Sequence, residues 1–222
     1  MLDVNTIGLT PEGDGTPLVI AIELKADDII ELLLANGADV HVAPVFRGPP
    51  LALAAKVGSL SITKLLLRAG ADPNRFNPKT GLSPLKGAVI SRSIPIMQLL
   101  LDHGANVNAK DRNDDDDFAE PPLEAAVRRN LLAEAEFLLE TGRASIEIVG
   151  KASNQLIHRA ARKGSVEMMA LLLAHGADVN GRNKLRSPIY HAALSGHLSA
   201  VEWLVEKGQI HAPSVRNNCS RV

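Results

Sequence analysis

Apolar and polar positions along this chain follow one pattern six times. Each cycle opens with a line of similar residues: "TPLVIAI", "PPLALAA", "SPLKGAV", "PPLEAAV", "QLIHRAA" and "SPIYHAA". Their second residues are Pro17, Pro50, Pro84, Pro122, Leu156 and Pro188, spaced by 33, 34, 38, 34 and 32 residues. A second line closes each cycle: "LLLANGAD", "LLLRAGAD", "LLLDHGAN", "FLLETGRA", "LLLAHGAD" and "WLVEKGQI", with glycines at 37, 70, 104, 142, 176 and 208. The distance from opening marker to glycine is 20 residues in every cycle, whereas the connector to the next cycle varies between 12 and 18. A fixed body with a variable connector is the signature of a repeat architecture.

The body predicts two helices. Thr16, Ser83 and Ser187 suit N-caps, and the proline after each suits a first helical turn, where no N–H is needed. An Ala-rich helix of about two turns follows, small enough in side chain for a neighbour to approach closely. "GSL", "GSV" and "GHL" break three of the cycles before a second helix with a leucine stripe at 3–4 spacing, as in Ile62, Leu65 and Leu66. The closing glycine is expected to be the C′ residue in left-handed conformation. "ADVN" or "ADPN" then forms an extended turn. Such a hairpin cannot bury its apolar face alone, but six in series can by stacking.

These residues resemble the ankyrin-repeat family: "TPL" or "SPL" openings, paired alanines, "LLL..GAD.N" endings and a period near 33, over roughly residues 16 to 210. The resemblance implies an all-α solenoid of stacked helix–turn–helix units with β-hairpin-like fingers, and partners bound at the finger tips and in the groove of the inner helices. The expected division is residues 1–15 as a partial preceding repeat or N-terminal cap, then repeats at 16–48, 49–82, 83–120, 121–153, 154–186 and 187–210, and a tail at 211–222. "LDVN" at Leu2 to Asn5 looks like the end of a preceding unit, which leaves open that the chain is the recognition segment of a larger enzyme or signalling protein. Lys25, Arg92 and Asn130 stand where the pattern expects the glycine between helices. "TGRAS" lacks the acid or amide after its glycine, and "QLIHRAA" lacks cap and proline. These departures imply weaker local order in repeats four and five.

Composition changes the picture little. The chain has 222 residues, 45% hydrophobic and only 3% aromatic, with a net charge of −1. Leu, Ala, Val and Ile must therefore build the core, and the charge argues against a dedicated nucleic-acid binder. Cys219 is the single cysteine, which excludes an internal disulfide and a Cys-rich zinc site. No secretory signal or bilayer-length apolar run is visible, so an intracellular setting, cytoplasmic or nuclear, is expected. The histidines lack zinc-ligand spacing: His158 and His197 fall at family structural positions, and His103 and His175 precede C′ glycines. No nucleophile elbow, phosphate loop or dinucleotide fingerprint is present. The expectation is a non-catalytic, monomeric protein-binding scaffold without cofactor or metal.

Two charged features stand out. Residues 111–120 carry Asp111, Asp114, Asp115, Asp116, Asp117 and Glu120. As a calcium loop this stretch fails, because Asp116 falls where glycine is needed and Pro122 where a carboxylate is needed. It is expected to be a lengthened, solvated finger. The two positions after each small pair, expected to face the groove, read Glu23-Leu24, Lys56-Val57, Ile90-Ser91, Arg128-Arg129, Arg162-Lys163 and Leu194-Ser195. Repeats four and five thus place Arg128, Arg129, Arg162 and Lys163 at equivalent positions, and Arg182, Lys184 and Arg186 follow in the last finger. Residues 151–190 hold seven bases and two acids. A continuous positive patch is expected, fitting an acidic protein segment, with the neighbouring finger, Asp111 to Glu120, as the one local group able to relieve its repulsion, competing for the groove or excluding wrong ligands.

Overall fold

A computed structural model describes residues 3–10, 13–45, 47–109, 120–146, 155–180 and 187–211. The chain forms two compact units, Met1–Ser145 and Ile146–Val222. In the first, inner helices α1 (Pro17–Glu23), α3 (Pro50–Val57), α5 (Pro84–Ile90) and α7 (Pro122–Arg129) alternate with outer helices α2 (Asp27–Ala35), α4 (Leu60–Arg68), α6 (Ile94–Asp102) and α8 (Leu132–Glu140). Inner helices pack on one another in chain order, and α2, α4 and α6 do likewise. The second unit repeats the arrangement with α9 (Gln155–Lys163), α10 (Val166–Ala174), α11 (Pro188–Leu194) and α12 (Leu198–His211).

The turn between the helices of a pair is the same in all six. Ala26, Ser59, Ser93, Leu131, Ser165 and His197 each donate a backbone N–H to the carbonyl of Ala21, Ala54, Ala88, Ala126, Ala160 and Ala192. All six alanines are buried. Closing this turn requires a left-handed residue, supplied by Gly58, Gly164 and Gly196 and, where glycine is missing, by Lys25, Arg92 and Asn130 at φ 54°, 59° and 57°. The backbone thus holds its shape against residue type, at an order of 1 kcal/mol of strain per non-glycine position. Arg92 has a compensating contact: its Nε lies 3.7 Å from Glu134 of the next repeat, whose carboxylate is almost wholly buried.

Leu66, Leu100 and Leu138 in the first unit and Leu172 in the second are fully buried, as their shared position in the stripe predicts. Gly37, Gly70, Gly104 and Gly176 adopt φ of 82–97° as C′ residues. Two glycines depart from expectation. In repeat four the turn holds one extra residue: Ala144 N–H closes on the carbonyl of Leu138, and Arg143, not Gly142, takes the left-handed conformation at φ 53°. In repeat six, α12 runs on through Gly208 to His211, so residue 211, expected in the tail, is helical. Of the three expected caps, Thr16 and Ser83 accept from Val19 and Lys86, whereas Ser187 makes no cap bond. Ser59, Ser93 and Ser165 cap the outer helices in addition.

The described connectors are held largely by aspartate and asparagine side chains. Asp3, Asp39, Asp72, Asn106 and Asp178 each accept the backbone N–H two residues on, forming Asx turns. Asn74 then reaches the next repeat, donating to Gly104 O at 3.0 Å and accepting from Asn106 N–H at 2.7 Å. Asn108 accepts from Ser145 in the same way. Asn5 does this for the first repeat, donating to Gly37 O and accepting from Asp39 N–H at 2.7 Å. The opening segment therefore makes the same bonds as the finger asparagines of later repeats. It continues into an antiparallel pair of strands, β1 (Gly8–Thr10) and β2 (Gly13–Gly15). Among the described connectors, one further β-bridge joins Asn77 and Leu82.

Candidate partner-binding surface

Inner helices α3, α5 and α7 bury their first two turns and leave their C-terminal ends more open, whereas α11 buries only Pro188 and Ala192. The cause is the small-residue pair: with Ala or Gly packed against a neighbouring helix, the next two side chains fall beyond the contact. In the first unit Glu23, Leu24, Lys56, Arg128 and Arg129 are exposed, and Val57, Ile90 and Ser91 are half-buried. In the second, Arg162, Lys163, Leu194 and Ser195 are exposed.

Internal pairing removes some of this charge. Glu120, at the base of the acidic finger, grips Arg128 with both carboxylate oxygens, from Nε and from Nη2. It also lies 3.1 Å from Lys86 Nζ on α5, a lysine almost wholly buried. Burial would raise the Glu120 carboxyl, but the hydrogen bond from Arg128 and the charge of Lys86 outweigh it and hold the group below the ordinary carboxylate range. Arg128 is raised in turn, first by that hydrogen bond and also by the charges of Glu120 and Glu124. At the other end, Glu23 accepts from Arg47 Nε at 2.9 Å, and Arg47 is buried. The Glu23–Arg47 pair was not anticipated. The available signal was a charged residue just before each "PP" opening, in "RGPP" and "AEPP".

Arg129, Arg162 and Lys163 are different: no ionic partner contacts them among the described residues. The two basic pairs fall in separate compact units, Arg128–Arg129 in the first and Arg162–Lys163 in the second. Asp111 and Asp114 to Asp117, Arg182, Lys184, Arg186 and Cys219 lie outside the described residues.

The histidines take packing and turn roles. His197 Nε2 lies 3.1 Å from the carbonyl of Arg162, tying one repeat to the next, and His103 Nδ1 lies 2.8 Å from the carbonyl of Leu99. His158 is buried edge-on against His191 at 5.3 Å. Among the described residues no three His, Cys, Asp or Glu side chains are placed to hold a metal ion, and no helix is long and apolar enough to cross a membrane.

Comparison with known proteins agrees with this architecture. The crystal structure of the human ASB11 ankyrin repeat domain superposes with a TM-score of 0.76 at 26% identity, covering 93% of this chain and 87% of that one. Among curated proteins, the probable 26S proteasome regulatory subunit p28 of Saccharomyces cerevisiae is 38% identical over 87 residues, 38% of each chain. A putative ankyrin repeat protein of fowlpox virus is 32% identical over 103 residues, 46% of this chain and 24% of the viral one. The nuclear factor NF-kappa-B p105 subunit of Mus musculus is 35% identical over 98 residues, 44% of this chain and 10% of its own. The chain thus spans well under half the length of these curated relatives. The model of ankyrin repeats in three copies matches residues 18–111, 51–149 and 123–214. With the repeated turn, the finger amides and this match over nearly its whole length, the chain belongs to the ankyrin-repeat family.

Proposed function

We propose that this chain is a non-catalytic protein-binding scaffold that recognises an acidic protein segment through the exposed ends of its inner helices. The division into repeats beginning at residues 16, 49, 83, 121, 154 and 187 belongs to this reading. The observation that supports it is the selective pairing of charge. Arg128 is paired with Glu120, whereas Arg129, Arg162 and Lys163 are left without an ionic partner among the described residues. The packed helices fix the backbone positions from which these cations project, so a partner's carboxylates meet them at set spacings, although each long side chain still loses rotamer freedom on binding. Lys184, Arg186 and the finger carboxylates of Asp114 to Asp117 belong to the same proposal, the former as further contacts and the latter as a screen against wrong ligands.

The test is the double reversal Arg129→Glu with Arg162→Glu, compared with the parent in quantitative affinity capture from a cell lysate at low salt. Both residues are exposed, so the circular dichroism melt should not move. Proteins with acidic segments should fall from the captured set, and raised salt should mimic the loss. An unchanged set at low salt would refute the basic-end reading, and capture dominated by nucleic acid would replace it.

A further inference from the structure

The turns between paired helices line one edge of the first unit, and the middle of that edge has a composition the fold does not require. Three contacts set successive turns against one another. Asp27 accepts from Ser61 at 2.6 Å, Ser91 donates to the carbonyl of Ala55 at 2.7 Å, and Arg92 Nε lies 3.7 Å from Glu134. The turns joining α3 to α4, α5 to α6 and α7 to α8 therefore form a row, with α1 and α2 before them and α9 and α10 after them in the chain.

Residues 56–61, 90–95 and 128–133 make up this row and contain four bases, Lys56, Arg92, Arg128 and Arg129, and no acid. Arg128 is paired with Glu120 and Arg92 with Glu134, whereas Lys56 and Arg129 have no ionic partner among the described residues. Aliphatic side chains stand between the bases. Val57, Leu60, Ile90 and Leu131 are half-buried, Ile94 and Leu132 are 37% and 38% exposed, and Pro95 is exposed. Closing the turn does not demand them. The first outer-helix position is Leu60, Ile94 or Leu132 in this row, but Asp27 in α2, where the turn closes on the same alanine carbonyl.

Aliphatic side chains left partly in water beside unopposed cations match a partner that supplies apolar cover and carboxylates together. The spacing selects its form. Packed helices stand about 8–10 Å apart, so the row repeats its apolar step at about that interval. An α-helix advances about 10.5 Å in seven residues and comes back to nearly the same face, meeting the row at i, i+7 and i+14. An extended strand covers the interval in about three residues, and an odd step turns its side chain to the opposite face.

We propose that the turn edge formed by residues 56–61, 90–95 and 128–133 docks an acidic amphipathic α-helix of a partner protein. Its apolar stripe lies on Leu60, Ile94 and Leu132, and its carboxylates meet Lys56 and Arg129. This rests on the acidic-segment reading above and adds to it the partner's form and its apolar anchors.

The probes are two fluorescein-labelled peptides of about 18 residues, long enough to hold helical structure. One carries leucines at 3–4 spacing among glutamates, and the other is a scramble of the same composition. Binding to the full chain is read by fluorescence anisotropy at low salt. The amphipathic peptide should bind at least about tenfold more tightly than the scramble. Ile94→Ser with Leu132→Ser should abolish that preference and leave the weaker affinity that both acidic peptides share. Arg129→Glu should weaken both peptides. A benzophenone placed in the leucine stripe and photolysed on the parent protein should crosslink to residues 56–61, 90–95 and 128–133, a reading that does not depend on how the serine pair folds. Equal affinity for the two peptides, a preference that survives the serine pair, or crosslinks confined to other residues would each overturn the proposal. If Arg129→Glu still weakened both peptides in that case, the acidic-segment reading would stand without it. Binding of neither peptide would overturn both.

Discussion

Replacing Glu120 by Gln should destabilise the first unit far more than a surface ion pair would suggest. The carboxylate receives both guanidinium contacts of Arg128 and sits 3.1 Å from Lys86 Nζ. Its side chain is 13% exposed and that of Lys86 is 9% exposed, whereas Arg128 is 43% exposed. Water can replace Glu120 around Arg128, so that half of the cluster contributes at the level of an exposed pair, about 0–1 kcal/mol. Water cannot readily reach Lys86, and a hydrogen bond to a charged group in such surroundings contributes about 1.5–3 kcal/mol. Gln keeps the volume and one acceptor but removes the charge, giving a loss of about 2–3 kcal/mol. For a chain of this size that corresponds to roughly 4–12 °C in a thermal melt. The pH dependence gives a second reading. The folded carboxyl is held below its ordinary 4.5, so its contribution is fully present above that value and is lost as pH falls through the lower folded value. The difference between parent and Glu120→Gln in melts followed by circular dichroism should therefore hold from pH 7 to about 5 and shrink below about 4. Deleting Asp114 to Asp117 in the same finger should leave the melt near the parent, because loop length costs stability only weakly. A Glu120→Gln melt within about 1 °C of the parent at neutral pH, or a gap that persists undiminished in acid, would refute the reasoning.

Gly70→Val should cost at least about 1–2 kcal/mol of unfolding free energy in urea titrations. Nothing lies within 4 Å of an added Cβ there, so the loss would be backbone strain alone, and Gly70→Asn should recover most of it. Leu172→Ala should cost about 2–5 kcal/mol by the same measurement, because the side chain is fully buried. Ser83→Ala should cost about 1 kcal/mol, and Ser187→Ala close to none, since only the Ser83 hydroxyl accepts a cap bond.

The elements that repeat were legible in the sequence because their physics is local and copied six times. The Ala-rich inner helix, the leucine stripe and the C′ glycine each recur at constant offset, so one odd residue could not disturb the register. Lys25, Arg92 and Asn130 show how strongly the repeat governs, since each takes the left-handed conformation that its neighbours assign to glycine. What escaped was whatever depends on a single unit. The extra residue at Arg143 leaves the 20-residue spacing intact and so is invisible in a count of spacings. The continuation of α12 through Gly208 is a matter of helix energetics at one end, where glycine costs only about 1 kcal/mol in a helix interior.

The candidate site was legible in position but not in charge. A count along the inner-helix ends treats Arg128 and Arg129 as equals, yet their surroundings separate them. Arg128 is claimed by a carboxylate eight residues before it, and its charge serves to hold the finger base against α5 and α7. Arg129 is exposed and has no ionic partner among the described residues. The same division appears at Glu23, which is committed to Arg47, so the acid that would have opposed a basic surface at the start of the first unit is largely neutralised too. Pairing therefore cancels one cation and one anion across the inner-helix ends of the first unit, and what is left exposed there is Lys56 and Arg129. A recognition surface of this kind is the remainder after internal pairing. Its sign is set by the residues just before each "PP" opening as much as by the helix ends that carry it.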